Sequence, residues 1–183
     1  DRGGDWSSDV CSSDLLPSVD QVVNSLQGCS IAHFACHGST DHTDPSSSGL
    51  VLQKQGEGQE AEQDWLTVHK ISELSLKYAR IAYLSACSTA ENKATQLSDE
   101  VIHVVSGFQV AGFPHVVGCL WPSKDGVCLQ VASGFYKSLL QRDETGGDDR
   151  DVASAVREAV MAVQRTERKP RPLAWAQFVH YGA

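Results

Sequence analysis

Two short apolar segments, each leading to a residue suited to catalysis, constrain the fold most. Residues 30–38 read SIAHFACHG and residues 80–90 read RIAYLSACSTA. Each contains a hydrophobic run of strand length that ends at a small residue, followed by His37 or Cys87 and then by residues that can turn. Groups just beyond the carboxyl ends of neighbouring parallel strands share one crevice. The pattern therefore predicts two strands that bring an imidazole and a thiol together, as covalent thiol catalysis requires.

Around these two runs, helical and strand-like patterns alternate along the chain. Helical spacing of apolar residues predicts helices over residues 17–26, 66–76, 100–111, 127–140 and 151–165. Short apolar runs predict strands ending at residue 37 and spanning residues 50–52, 81–84, 116–120 and 175–181. The polar segments 39–49 and 53–64 are expected to be loops, the second of them a mobile acidic insertion. This alternation is typical of a parallel α/β sheet.

The composition limits the chain to one domain and excludes two classes of partner. A chain of 183 residues, of which 41% are hydrophobic, is long enough to bury one core and short for two domains. Its 23 acidic and 15 basic residues give a formal charge of −8, which offers no basic field to a nucleic-acid backbone. The longest apolar runs fall far short of the roughly 20 residues that a membrane-spanning helix needs. We therefore expect neither a nucleic-acid nor a membrane partner.

Cysteine usage favours a reducing compartment. The six cysteines include no CxxC pair, and most lie inside apolar runs. Buried thiols fit this distribution better than a disulfide framework. No signal peptide with a basic head and an apolar middle is visible. The expected location is the cytoplasm.

The first residues differ in character from the rest of the chain. Residues 1–15 are rich in Ser and Asp, contain the near-repeat SSDV and SSDL, and show neither helical nor strand periodicity. We expect a disordered or artefactual leader over residues 1–15 and the folded domain over residues 16–183.

Several blocks, in order along the chain, resemble one known family. AHFACHG followed by YLSACSTA is similar to the CHAT group of caspase-like cysteine proteases, which are relatives of caspases and separases. The similarity continues through VVGCLWP, GFY and AWAQFV and covers residues 17–183. His37 precedes Cys87 by 50 positions, and the caspase histidine precedes its cysteine by about 50. The resemblance implies a caspase-like three-layer α/β sandwich around a mainly parallel sheet. It also implies N-terminal truncation, because the family has further strands before the histidine strand.

The same resemblance implies roles for residues at the two strand ends. Cys87 would be the nucleophile and His37 its base, and the backbone N–H groups of Gly38 and Cys87 would form the oxyanion hole. Asp125 would line a pocket for a basic P1 side chain, which a carboxylate binds through a charge-assisted pair. Lys124, directly before Asp125, departs from the family pattern and could neutralise that pocket. No cofactor or metal is implied.

Plainer interpretations remain open for these residues. Cys87 can be one more buried thiol, and His33 competes with His37 because alternate positions of a strand share a face. The glycine that follows favours His37, since a backbone without Cβ can approach a reacting carbonyl, and His33 is then expected in the core. A zinc site made of His33, Cys36 and His37 is disfavoured, because a strand does not bring positions i and i+4 together.

The resulting hypothesis is a cysteine-type peptidase that cleaves protein substrates through an acyl-enzyme intermediate. By resemblance, the domain would be the C-terminal effector part of a larger regulatory protein with N-terminal TPR-type repeats. Two alternatives stay open. One is a catalytically inactive CHAT-like module for protein interaction or signalling, and the other is a thiol-dependent hydrolase or transferase that acts on a substrate other than protein.

Overall fold

The computed structural model describes residues 17–39, 41, 43–55, 61–85, 87–88, 98–121, 124–143, 150–166 and 172–182. The predicted leader at residues 1–15 lies outside them. Within the described residues the helices are α1 (Val19–Leu26), α2 (Val68–Ser72), α3 (Ser98–Ala111), α4 (Asp125–Asp143), α5 (Arg150–Thr166) and α6 (Pro172–Trp175). The strands are β1 (Ile31–Phe34), β2 (His37–Ser39), β3 (Gly49–Gln55), β4 (Ala61–Thr67), β5 (Ile81–Leu84), β6 (Cys87–Ser88), β7 (His115–Cys119) and β8 (Phe178–Tyr181).

These strands form two four-stranded sheets in the described part of the chain. The main sheet has the order β1-β5-β7-β8, in which β1, β5 and β7 run parallel and β8 runs antiparallel to β7. The small sheet has the order β4-β3-β2-β6, in which β2 and β6 are parallel and the other pairs are antiparallel. The predicted α/β class with a mainly parallel sheet is confirmed.

The main sheet is covered by helices on both faces. On β5, Ala82 and Leu84 pack into one core with Phe108 of α3, whereas Ile81 and Tyr83 pack into a second core. The second core contains apolar side chains of α4 and α5, namely Val131, Phe135, Leu139, Val152, Ala155, Val156, Ala159 and Val163. Consecutive residues of a strand point to opposite faces, so a strand buried on both sides is apolar throughout. The result is the three-layer arrangement expected of a caspase-like sandwich.

The ends of several helices follow local sequence signals. Ser18 accepts a hydrogen bond from the Gln21 N–H at the start of α1, and Gln21 completes a capping box. Thr67, the predicted cap of α2, accepts a hydrogen bond from the Lys70 N–H at 3.2 Å. Gly112 follows α3 with a φ of +122°, a conformation that glycine adopts without strain. Helix α2 is shorter than predicted at both ends, because β4 extends as far as Thr67 and the helix already ends at Ser72.

The prediction of a loop over residues 53–64 is wrong at both ends. β3 runs to Gln55, β4 begins at Ala61, and the two strands pair antiparallel over seven positions. Lys54 and Glu62 face each other with an Nζ–Oε2 distance of 3.6 Å. Most side chains in this part of the hairpin are exposed. An antiparallel strand in water needs no apolar residues, and this is why the sequence pattern resembled a loop.

The four cysteines whose side chains the structure describes are free thiols, and most of them are not fully buried. Cys119 is buried, whereas Cys29, Cys36 and Cys128 are half-buried. Among the described helices, none combines the length and the apolar character needed to cross a membrane.

Candidate active site

The strands that carry the predicted histidine and cysteine leave the main sheet side by side. The predicted single strand ending at His37 is in fact two strands, because β1 stops at Phe34 and β2 begins at His37 in the small sheet. The neighbouring segment also passes from the main sheet to the small sheet, between β5 and β6. Between the two sheets, the backbone N–H of Ser85 donates to the Phe34 carbonyl oxygen at 2.8 Å. This hydrogen bond holds the two segments together at the point where both bend from one sheet into the other.

The register of this parallel pair is the same in both sheets. Ile31 pairs with Ile81 in the main sheet, and His37 pairs with Cys87 in the small sheet. Hydrogen-bonded strands lie about 4.8 Å apart, so backbone positions 37 and 87 are direct neighbours. The spacing of 50 positions seen in the sequence is therefore the register of the strand pair.

The predicted site residues follow one end of the main sheet. Strands β1, β5 and β7 are parallel, so their last residues lie at the same end, which we call the carboxyl end. His37, Gly38 and Cys87 follow β1 and β5 there. Asp125 is exposed and is the first residue of α4, the helix that follows β7. Open α/β sheets bind their ligands at this end of the strands.

Gly38 has open space around it, whereas another glycine nearby does not. Among the described residues, a Cβ atom added to Gly38 would have only the Gly49 carbonyl oxygen nearby, at 4.0 Å, and His37 beside it is exposed. A Cβ atom added to Gly49 would overlap the backbone of Leu66. Packing within the domain therefore accounts for the glycine at position 49 but not for the one at position 38. The open space at Gly38 leaves room for another molecule to approach its backbone.

Comparison with known protein families agrees with this architecture. A family model described as the CHAT domain matches residues 11–183. The chain belongs to the CHAT domain family. The caspase-like character of this family fits the three-layer fold and the mainly parallel sheet of the described residues. Among curated proteins, no sequence matches this CHAT domain significantly.

In this CHAT domain, His33 is not a core residue, and that prediction is wrong. The neighbours Ala32 and Phe34 are buried, but His33 points to the other face and is exposed. The reason is that β1 is the outermost strand of the described main sheet, so the helices on that face cover β5 and β7 more fully. Nε2 of His33 lies 3.0 Å from Oγ of Ser85. Ser85 was not among the predicted site residues, and the one signal for it in the sequence is its position two residues before Cys87.

Burial favours the protonated form of two half-buried cysteines that flank β1 in the sequence. Burial raises the pKa of Cys36, the residue before His37, to about 11. Burial also raises the pKa of Cys29, against a smaller opposing effect of a backbone hydrogen bond. Because the thiolate is the nucleophilic form, burial makes both cysteines weaker nucleophiles than an exposed thiol.

The described residues offer no arrangement suited to a bound metal ion. No group of three or more His, Cys, Asp or Glu side chains occurs among them with the proximity that a metal needs. His33, a member of the disfavoured zinc set, instead has its Nε2 within hydrogen-bond distance of Ser85. His33 and His37 also belong to different sheets.

A second pair of histidines lies at the opposite end of the main sheet, which we call the amino end. His115 begins β7, is 1% exposed, and has its Nδ1 atom 3.0 Å from Nε2 of His180 on β8. Their rings stack with centroids 5.2 Å apart. Burial, and to a smaller extent the charge of His115, lowers the pKa of His180. No pattern in the sequence indicates this pair, because it is the pairing of β7 with β8 that brings the two residues together.

Proposed function

We propose that this CHAT domain is a cysteine endopeptidase in which Cys87 is the nucleophile and His37 is the general base. The observation that carries this proposal is the register of β2 and β6, in which backbone positions 37 and 87 are partners. A thiol is activated when a base lies within hydrogen-bond reach, and adjacent strands provide that proximity. The exposure of His37 supports the same role, because a general base must reach the substrate.

The proposed reaction has two stages. The Cys87 thiol gives its proton to His37, and the thiolate attacks the carbonyl carbon of the scissile peptide bond. The backbone N–H groups of Gly38 and Cys87 stabilise the negative oxygen that forms. The C–N bond then breaks, the protonated His37 gives its proton to the leaving amine, and a thioester remains on Cys87. A water molecule, deprotonated by His37, hydrolyses the thioester and releases the new carboxyl terminus.

For substrate choice, we propose that Asp125 favours Arg or Lys at P1. An exposed carboxylate at the carboxyl end of the sheet can form a charge-assisted pair with such a side chain. Asp125 also lies in the first turn of α4, where the helix dipole stabilises a negative charge. Lys124, also exposed, lies directly before it and would weaken the preference. A peptide-library profile without cleavage after Arg or Lys would remove this part of the proposal.

We place this peptidase in the cytoplasm, as the effector domain of a longer regulatory protein with TPR-type repeats. The CHAT family membership supports a caspase-like role of this kind. The location rests on the reduced cysteines.

The test is labelling of the chain with a peptide acyloxymethyl ketone that has Arg at P1, followed by mass spectrometry of the modified cysteine. We expect modification of Cys87 alone, abolished in Cys87→Ala and strongly reduced in His37→Ala. Two matched variants should keep it: His69→Ala removes an exposed histidine of α2, and Cys36→Ala removes a protonated thiol.

Two other labelling results would favour the alternative functions. Labelling spread over several cysteines, or absent from Cys87, would favour the inactive interaction or signalling module. Selective labelling of Cys87 without cleavage of any peptide in a library would favour a thiol-dependent hydrolase or transferase with another acyl substrate.

A further inference from the structure

One side-chain contact joins the two strands just before they leave the main sheet. Nε2 of His33 lies 3.0 Å from Oγ of Ser85, four residues before His37 and two residues before Cys87. Ser85 also makes the backbone hydrogen bond to Phe34 at 2.8 Å. Both contacts of Ser85 therefore fall at the bend between the main sheet and the small sheet.

Aromatic rings hold the His33 imidazole in this position. Its ring centroid is 4.8 Å from that of Tyr83, its partner on β5, and 5.7 Å from that of Tyr136 on α4. Tyr83 is fully buried, which makes one side of this contact rigid. Partial burial lowers the pKa of His33, so the imidazole is neutral at neutral pH. A neutral imidazole can share one hydrogen bond with the Ser85 hydroxyl in either tautomer.

Two contacts on Ser85 restrict the bend more than one contact does. A single backbone hydrogen bond lets two chains pivot about it, whereas a second bond in a different direction opposes that rotation. The backbone bond to Phe34 involves the N atom of Ser85 and the side-chain bond to His33 involves its Oγ atom, so the two bonds hold different parts of the residue. The direction in which β2 and β6 continue from the main sheet depends on this bend.

We propose that the hydrogen bond between His33 and Ser85 is a positioning contact for Cys87 and His37. It fixes the bend and thereby the alignment of the nucleophile with its base. This inference rests on the proposed function. His33 and Ser85 act through the two strands and do not touch the substrate. A displacement of catalytic groups by about 1 Å, caused by a change away from the reacting atoms, can lower activity about 100-fold.

The test measures how fast the full chain is alkylated by the acyloxymethyl ketone probe, separating the inactivation rate constant kinact from the probe affinity KI. Ser85→Ala removes the hydroxyl, and His33→Phe keeps a ring against the tyrosines but removes Nε2. We expect both to lower kinact about 10–100-fold while KI stays within about twofold. Ser85→Thr, which keeps a hydroxyl, should restore kinact. The double variant should be no slower than either single one, because both remove the same bond.

Ser25→Ala is the matched control, since it removes a serine whose Oγ donates to the Gln21 carbonyl oxygen within α1, away from the site. It should leave kinact unchanged. Normal kinact in both Ser85→Ala and His33→Phe, with labelling of Cys87 that still requires His37, would overturn the positioning role and leave the proposed function intact. A loss in Ser85→Ala that Ser85→Thr does not restore would also overturn it. If labelling of Cys87 in the wild-type chain does not depend on His37, the proposed function and this inference are overturned together.

Discussion

The two ends of the main sheet each have a pair of histidines, and the two pairs differ in what surrounds them. At the carboxyl end, His33 and His37 are exposed, and the backbone of His37 is the register partner of Cys87. At the amino end, His115 is 1% exposed and stacks on His180. The histidine side chains at the carboxyl end are therefore in contact with water, whereas that of His115 at the amino end is buried.

This difference separates an accessible pair of histidines from a packed one. At the amino end, burial and then the neighbouring His115 lower the pKa of His180, whose Nε2 lies 3.0 Å from Nδ1 of His115. The glycines beside the two pairs show the same contrast. A Cβ atom at Gly38 would lie in open space, whereas one at Gly182 would come within 2.6 Å of the Pro114 carbonyl oxygen and 2.8 Å of Nδ1 of His115. The carboxyl end can thus admit another molecule, while the amino end is already filled.

The largest effect should come from His37. In His37→Ala, we expect the rate of Cys87 alkylation to fall about 10²–10⁴-fold, because the thiol loses its base. The free energy of unfolding should change by no more than about 0.5 kcal/mol, since the side chain is exposed. Labelling kinetics and urea unfolding of the same preparation measure both. A large loss of stability together with normal labelling would mean that His37 has a structural role and not a catalytic one.

His115 should show the opposite behaviour. In His115→Ala, a buried ring and its contact with His180 are lost, and we expect the free energy of unfolding to fall by about 2–4 kcal/mol. The labelling rate of the folded fraction should stay within about twofold of wild type. His69→Ala, at an exposed position of α2, is the control for a histidine without structural cost. Stability equal to that of the control would show that the amino end is not packed as tightly as its contacts imply.

The two glycines allow a smaller and sharper test. Gly182→Ala should reduce the free energy of unfolding by about 1–3 kcal/mol, because the new methyl group presses on the Pro114 backbone. Gly38→Ala should leave stability within about 0.5 kcal/mol and lower kinact for the peptide probe about tenfold, because a misaligned substrate carbonyl reacts slowly. Equal stability losses in the two variants would contradict the open space assigned to Gly38.

The sequence predicts those features of the two ends that depend on neighbouring residues, and it does not predict those that depend on residues far apart in the chain. The strands leading to His37 and Cys87 were predictable, because each is a short apolar run with a sharp end. Their spacing even equals the register of the pair. The bend that splits the histidine strand was not predictable, because Ala35 and Cys36 resemble strand residues and only the second sheet shows where the chain turns.

Features that depend on distant partners were missed for the same reason. The exposure of His33 depends on the position of β1 at the border of the described main sheet, and alternation within the strand gives no information on strand order. The contact of His115 with His180 requires β8 to return beside β7. The exposed part of the β3–β4 hairpin, within residues 53–64, resembles a loop in the sequence because it has no apolar pattern.

The smallest effect is on the pH dependence of stability. The pKa of His180 is lowered in the folded chain, first by burial and then by His115, so the unfolded chain binds more protons as the pH falls below about 6.5. This contribution to stability is fully present above that pH and is lost as the pH falls through the lowered pKa. The pKa of His33 is lowered as well and acts in the same direction.

Urea unfolding at a series of pH values between about 7.5 and 5 measures this dependence. In His180→Gln, the loss of stability on acidification should be shallower than in wild type, by at most about 1.4 kcal/mol per pH unit for one proton. His33→Phe, made in parallel, removes the contribution of the carboxyl end, so the two slopes can be compared directly. A wild-type slope in His180→Gln would mean that the amino end accepts a proton without cost. The two ends would then differ in packing and in access to another molecule, but not in their tolerance of charge.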